Sequence, residues 1–326
     1  MTRDRRPERP LPDLRADVAR FLGYYNNLPG PPHHELGPEA ARRMMRQARD
    51  LTDPPVGALA IDRAFDVAGP HGPIPVRLFD AAPARAPGPV VLFFHGGGFV
   101  IGDIDTHAPL AAEIARQLDL PVLSVDYRLA PEHPWPAAPE DCEAAARWLA
   151  TDGMATGLIV MGDSAGGTLA TVTAMRLRDD PAAVPVIAQG LLYPATDMGR
   201  AHPSLRDFAE GHFLTRAMLD WFVACYAADL TDIRAAPMRG DLAGTPPAVI
   251  VTAQCDPIRD QGRAYAAALV RAGVAVTFQE AGGTIHGFAT LRKAIPSGQR
   301  DLTAFLLALR AVIAEAETAR ANGQQP

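Results

Sequence analysis

Cysteine is scarce in this chain: three residues, Cys142, Cys225 and Cys255, among 326. An odd count with no knuckle spacing suggests neither a disulfide framework nor a zinc site, and a reducing cytoplasm is the expected compartment. Long apolar runs are missing as well, so no segment is expected to span a bilayer. The charged start Met1–Arg6 has no apolar stretch behind it, which argues against a signal peptide. Positive charge is not in excess. The net charge is −6, which favours solubility and gives no reason to expect nucleic acid or an anionic membrane as partner. No internal repeat is found. The two ends, Met1–Pro12 and 319–326, are polar or rich in Arg and Pro, and are expected to fray.

What is present reads as one large α/β unit with helical additions. Residues 13–50 are amphipathic, with Leu14, Val18, Phe21 and Leu22 at helical spacing, and Ala41, Met44, Met45 and Ala48 likewise. Pro29-Gly30-Pro31-Pro32 breaks the two. From Ile61 the pattern turns to alternation. Arg63–Ala68 and Ile74–Phe79 flank Gly69-Pro70-His71-Gly72 as a β-hairpin. Six continuous apolar runs follow: Val90–Phe94, Val122–Val125, Leu158–Met161, Ile187–Tyr193, Ala248–Thr252 and Val274–Phe278. Helical stretches separate most of them, at Thr106–Gln117, Glu140–Ala150, Thr168–Arg178 and Arg259–Ala272. Strands apolar throughout, alternating with helices, predict an eight-stranded, mostly parallel sheet covered on both faces, with antiparallel strands at one edge. The stretch between Tyr193 and Ala248 carries no strand pattern, only a helical patch at Arg216–Tyr226. The expected organisation is a core of 51–194 and 237–318. Residues 1–50 and 195–236 form a joint helical cap, and 319–326 a flexible tail.

The chemistry centres on Gly162-Asp163-Ser164-Ala165-Gly166-Gly167. It follows the strand run Leu158–Met161 at once and opens a helix, which is the setting that gives G-x-S-x-G its meaning. Ser164 is the candidate nucleophile, and Gly162 and Gly166 allow the close backbone approach that a strained serine needs. His95-Gly96-Gly97-Gly98-Phe99 closes an earlier strand. Its bare N–H groups can converge on an oxyanion, so Gly97, Gly98 and Ala165 are the expected donors. A dinucleotide cradle would need G-x-G-x-x-G opening a helix, whereas Phe99-Val100-Ile101-Gly102 follows here. His95 is expected to bond the loop. A serine hydroxyl needs a base, and the base an orienting carboxylate. Of the downstream histidines, His202 and His212 fall in the expected cap. His286 follows a strand, where α/β sites form. Asp256 is the leading carboxylate, with Asp260 second. Asp256 also suits a helix N-cap before Pro257, and the two roles are compatible. Cys255 beside it is expected to be a small buried hydrophobe. Phe99, Phe213, Leu214, Trp221, Phe222 and Phe288 are candidates for an apolar acyl or alcohol site.

His95–Gly98, Asp126–Glu132 (Asp-Tyr-Arg-Leu-Ala-Pro-Glu), Gly162–Gly167, Asp256–Asp260 and His286-Gly287-Phe288 occur in this order, within a match that runs from about residue 60 to 310. In these the chain resembles the hormone-sensitive-lipase-like, or bacterial type IV, esterases of the α/β-hydrolase fold, in their Asp-Ser-Ala subgroup. Gln254, Cys255, Ile258 and Gln261 depart from the usual pattern without emptying a triad position. The resemblance implies a Ser164–Asp256–His286 triad, an oxyanion hole from Gly97, Gly98 and Ala165, and a helical cap. It implies hydrolysis of short- to medium-chain esters without metal or cofactor, and a brace for the glycine loop from Tyr127–Glu132. It is compatible with a homodimer through a sheet edge. Two other readings stay open: a small-molecule binding protein on the same fold, against which the presence of His286 counts, and amide hydrolysis or acyl transfer with the same triad.

Overall fold

The computed structural model describes residues 12–323. The expectation of frayed ends therefore falls largely outside the described residues. It is corrected at one point: the last helix, Gly298–Ala321, runs into the expected tail. The Arg320 guanidinium donates to the Thr156 carbonyl at 2.7 Å and ties that final turn to the sheet.

Eight strands form one sheet: β1 (Ile61–Gly69), β2 (Gly72–Asp80), β3 (Gly88–Phe94), β4 (Val122–Val125), β5 (Ala155–Asp163), β6 (Val186–Leu192), β7 (Ala248–Cys255) and β8 (Val276–Ile285). Their order is β1-β2-β4-β3-β5-β6-β7-β8. The hairpin β1–β2 is antiparallel and meets β4 antiparallel; every other pairing is parallel. Alternation along the strands splits the core. Val90, Leu92 and Phe94 of β3 face one apolar cluster with Leu158 and Val160, while Val91 and Phe93 face another with Ile159 and Met161. Burial on both faces explains why these strands read as unbroken apolar runs.

β8 corrects the sequence reading. It starts at Val276 and continues through Gly282, Gly283 and Thr284 to Ile285, so these residues are strand and not loop. The glycines mark an irregular register against β7 near Ala253–Cys255. Gly283 has φ +64, a conformation a side chain would resist. His286 thus leaves directly from the end of the strand.

No strand interrupts β6 to β7. That segment holds the helices Pro203–Asp207 and Arg216–Tyr226. It meets the N-terminal helix Ala16–Tyr25 through Phe213, whose ring lies edge-on to Tyr25 at 5.0 Å. The helix Pro38–Thr52 is fixed at its end by Asp53, buried against Arg292 with N–O distances of 2.8 and 2.9 Å. Among the described residues no helix is long and apolar enough to cross a membrane.

Candidate active site

β5 ends at Asp163, and the helix Ala165–Asp179 begins one residue after Ser164. The chain reverses at Ser164 itself, which has φ 54 and ψ −119. Such a backbone costs on the order of 1–3 kcal/mol for a non-glycine residue and persists only where the surroundings enforce it. The enforcement is close packing. A Cβ on Gly162 would lie 2.7 Å from the Phe94 carbonyl oxygen, and one on Gly166 would overlap it. The Ser164 N–H donates to Leu192 O at 2.9 Å.

His286 Nε2 lies 2.8 Å from Ser164 Oγ, and His286 Nδ1 lies 2.7 Å from Asp256 Oδ2. With Nδ1 protonated, the ring donates to the carboxylate and accepts from the serine. Asp256 is fully buried, and its other oxygen accepts the Ile258 N–H at 2.8 Å, so its orientation is set from both sides. Asp260 is engaged elsewhere: it accepts from Ser204 N at 3.0 Å and Arg259 Nε at 2.8 Å. Cys255 is buried, and burial pushes its thiol up to about 11.

The glycine loop lies against this group. Gly97 and Gly98 take φ +121 and +61. Their N–H groups donate to nothing among the described residues. Ala165, first in its helix, likewise has no intrahelical acceptor for its N–H. Tyr127 Oη donates to His95 O at 2.6 Å, and the two rings stack at 4.3 Å. His95 Nδ1 donates to Gly96 O at 2.8 Å. Burial, reinforced by nearby His107, lowers His95 to about 4, so it is neutral at pH 7.

Sequence reasoning missed a pair that ties loop to elbow. Asp163 Oδ1 accepts the Gly96 N–H at 2.8 Å and faces His107 Nε2 at 3.5 Å. Burial alone would raise Asp163; His107 and the Gly96 N–H outweigh it and hold the carboxyl below its ordinary value. For His107 burial would lower the ring, and Asp163 outweighs that and raises it. The available signal was an acid inside the elbow motif, which could have prompted a search for its cation.

Two cavities meet at Ser164. One of about 240 Å3 is lined by Phe99, Leu214, Leu219, Phe222 and Ile258. A smaller one of about 120 Å3 is lined by Gly97, Phe213, Met218, Phe222 and His286. Phe99, Phe213, Leu214 and Phe222 therefore stand where the sequence reading put them, at a pocket. Trp221 and Phe288 do not line either cavity. Adjacent residues on a helix point about 100° apart, so with Phe222 over Gly98, Trp221 turns away. Phe288 is fully buried, edge-on to Tyr193 at 5.1 Å, because Gly287 (φ +78) turns the chain back into the core.

A sheet wound in this order, with a strained serine at the carboxyl end of β5 and a histidine within hydrogen-bond distance of it after β8, is the α/β-hydrolase fold. A family profile described as alpha/beta hydrolase fold matches residues 91–290. Esterase LipI of Mycobacterium tuberculosis is 41% identical over 292 residues, covering 85% of this chain and 89% of the relative. Ethyl acetate hydrolase of Pseudomonas putida is 36% identical, covering 86% and 92%. Among solved structures, a thermostable esterase from Pseudomonas putida superposes with TM-score 0.88 at 30% identity, covering 94% of this chain and 99% of that one. An ester hydrolase, EH1AB1, from the metagenome of Lake Arreo gives 0.84 at 37% identity, covering 91% and 98%. The chain belongs to the hormone-sensitive-lipase-like esterase family of α/β-hydrolases.

Proposed function

We propose that this protein is a serine carboxylesterase acting on short- to medium-chain acyl esters, with Ser164 as nucleophile, His286 as general base and acid, and Asp256 as the carboxylate that orients His286. The observation that carries the reading is the continuous relay from Ser164 Oγ through His286 to Asp256, at 2.8 and 2.7 Å, on a strained turn. Ser164 attacks the ester carbonyl as its proton passes to His286 Nε2. Asp256 holds the Nδ1–H tautomer and stabilises the imidazolium. The oxyanion enters the N–H groups of Gly97, Gly98 and Ala165. Each such donor is typically worth about 3–4 kcal/mol in the transition state. His286 then protonates the departing alcohol, and water repeats the attack on the acyl-enzyme.

In this reading residues 1–50 and 195–236 act together as a cap, and Phe99, Phe213, Leu214 and Phe222 contact substrate. A cytoplasmic location is part of it, supported by three unpaired thiols. So is a homodimer through β8, an edge strand whose Phe278 is exposed; sedimentation of the full chain reads the dimer directly.

The test of the activity is a p-nitrophenyl ester series with and without an organophosphate. Organophosphate-sensitive turnover, abolished together with the acylation burst in Ser164→Ala, is expected. Near-full ester hydrolysis by Ser164→Ala removes the assignment, and no sensitive turnover on any ester favours a binding protein.

A further inference from the structure

The two cavities at Ser164 are not equivalent. His286 must return a proton to the leaving oxygen, so the alcohol half of an ester lies on the side that His286 lines. That is the smaller cavity, of about 120 Å3. The acyl half is left the larger one, of about 240 Å3, which His286 does not line.

Beyond the smaller cavity lies a third volume of about 410 Å3, between the N-terminal helices, lined by Phe21, Leu28, Met44 and Leu51 among others. It is apolar, and Leu51 at its edge is 72% exposed, so it opens to solvent. Tyr25, His33, Met45, Phe213 and Thr290 face both this groove and the cavity at Ser164, and so form the wall between them. Phe213 is held from two sides. Its backbone sits at φ 72, and its ring lies edge-on to Tyr25 at 5.0 Å and to Phe21 at 5.7 Å. Tyr25 Oη reaches His33 Nδ1 at 3.3 Å and closes the wall from the other side.

We infer that Phe213, braced by Tyr25, sets the size of the alcohol: esters of short alcohols are the substrate class, and long alkyl alcohols are excluded from an apolar groove one side chain away. This rests on the esterase reading and deepens it. Removing the Phe213 ring joins the cavity to the groove and gives a long alkyl chain a place to lie.

The experiment is kcat/KM for methyl, butyl and octyl butyrate with the full chain, followed by acid release. The natural protein is expected to turn over the methyl and butyl esters and to fall steeply at octyl. Phe213→Ala is expected to raise the octyl-to-methyl ratio by about tenfold or more, the scale of a few methylenes gaining a pocket. Adding Met44→Trp, which fills the groove and not the cavity, reverses that gain. A series of methyl esters of rising acyl length is expected to keep its profile in Phe213→Ala, because the acyl chain lies in the other cavity. An octyl rate equal to butyl in the natural protein, an unchanged ratio in Phe213→Ala, a gain that Met44→Trp leaves intact, or an equal shift in the acyl series each overturns the inference. Should Phe213→Ala not fold, Tyr25→Ala opens the same wall and is read the same way. Failure of the natural protein on every ester overturns the esterase reading itself.

Discussion

The Asp163 carboxylate accepts the Gly96 N–H at 2.8 Å, joining the residue before the candidate nucleophile to the residue before the candidate oxyanion donors. The turn at Ser164 and the glycine loop are thereby one unit, although 67 positions separate them in sequence. Losing this tie should let Gly97 and Gly98 drift from the oxyanion while leaving ground-state binding alone. Asp163→Ala is expected to lower kcat by about 10²–10³, the range seen when an oxyanion donor is lost, with little change in KM. Asp163→Asn keeps an acceptor for Gly96 and should lose less. Steady-state kinetics on folded protein checks both, and a loss in KM with kcat preserved would contradict the positioning role.

The same pair has a pH signature. His107 is raised in the folded protein by Asp163, so its contribution to stability is complete below 6.5, its ordinary value, and is lost as pH rises through the higher folded value. Asp163 is depressed by His107, so its contribution is complete above 3.8 and is lost as pH falls through the lower folded value. Asp103, His95 and Asp53 also act on the neighbourhood. His107 itself helps to lower His95, so His107→Gln also moves the His95 titration, which in the natural protein lies near pH 4, at the acid edge of the window. The gap in melting temperature between the natural protein and His107→Gln is therefore expected to be widest between pH 3.8 and 6.5, and to narrow on the alkaline side. A gap independent of pH would mean that the two are not an ion pair.

The strands were legible because both faces of the parallel sheet are buried, which leaves runs such as Val90–Phe94 without a polar break. β8 was cut short because Gly282 and Gly283 carry the composition of a loop; only the pairing with β7 reveals an irregular strand. Ser164, His286 and Asp256 could be picked out because the chemistry demands those residue types in that order, and their side chains do meet. The Asp163–His107 contact follows no period or spacing and was invisible. Of the six candidate pocket residues, Trp221 and Phe288 stand away from both cavities, because hydrophobicity does not say which way a ring faces.

Asp256 and Asp260 can be told apart by kinetics. Asp256 alone reaches His286, whereas Asp260 holds Ser204 and Arg259. Asp256→Asn is expected to lose on the order of 10⁴ in kcat, through a wrong His286 tautomer. Asp260→Asn should lose far less, and mainly in stability. The opposite ranking would exchange their roles.

Arg42 is expected to govern the site without touching substrate. Arg42, on the helix Pro38–Thr52, donates through Nε to Val100 O at 2.7 Å and through one terminal nitrogen to Ala130 O at 2.8 Å. The same guanidinium pairs with Glu132 at 2.7 and 3.0 Å. One planar fork thus clamps the end of the glycine loop to the Tyr127–Glu132 segment, where Ala130 N donates to Phe99 O at 2.9 Å. The Glu132 contact is half open to water and adds little. The two carbonyl bonds carry the effect, at about 1.5–3 kcal/mol for a hydrogen bond to a charged group. Arg42→Ala is expected to destabilise by about that amount and to lower kcat as the loop loosens. Arg42→Lys keeps the charge but cannot reach both carbonyls with a rigid fork, so it should rescue little of either. Full rescue by lysine would show that charge, and not the clamp, is what the loop requires.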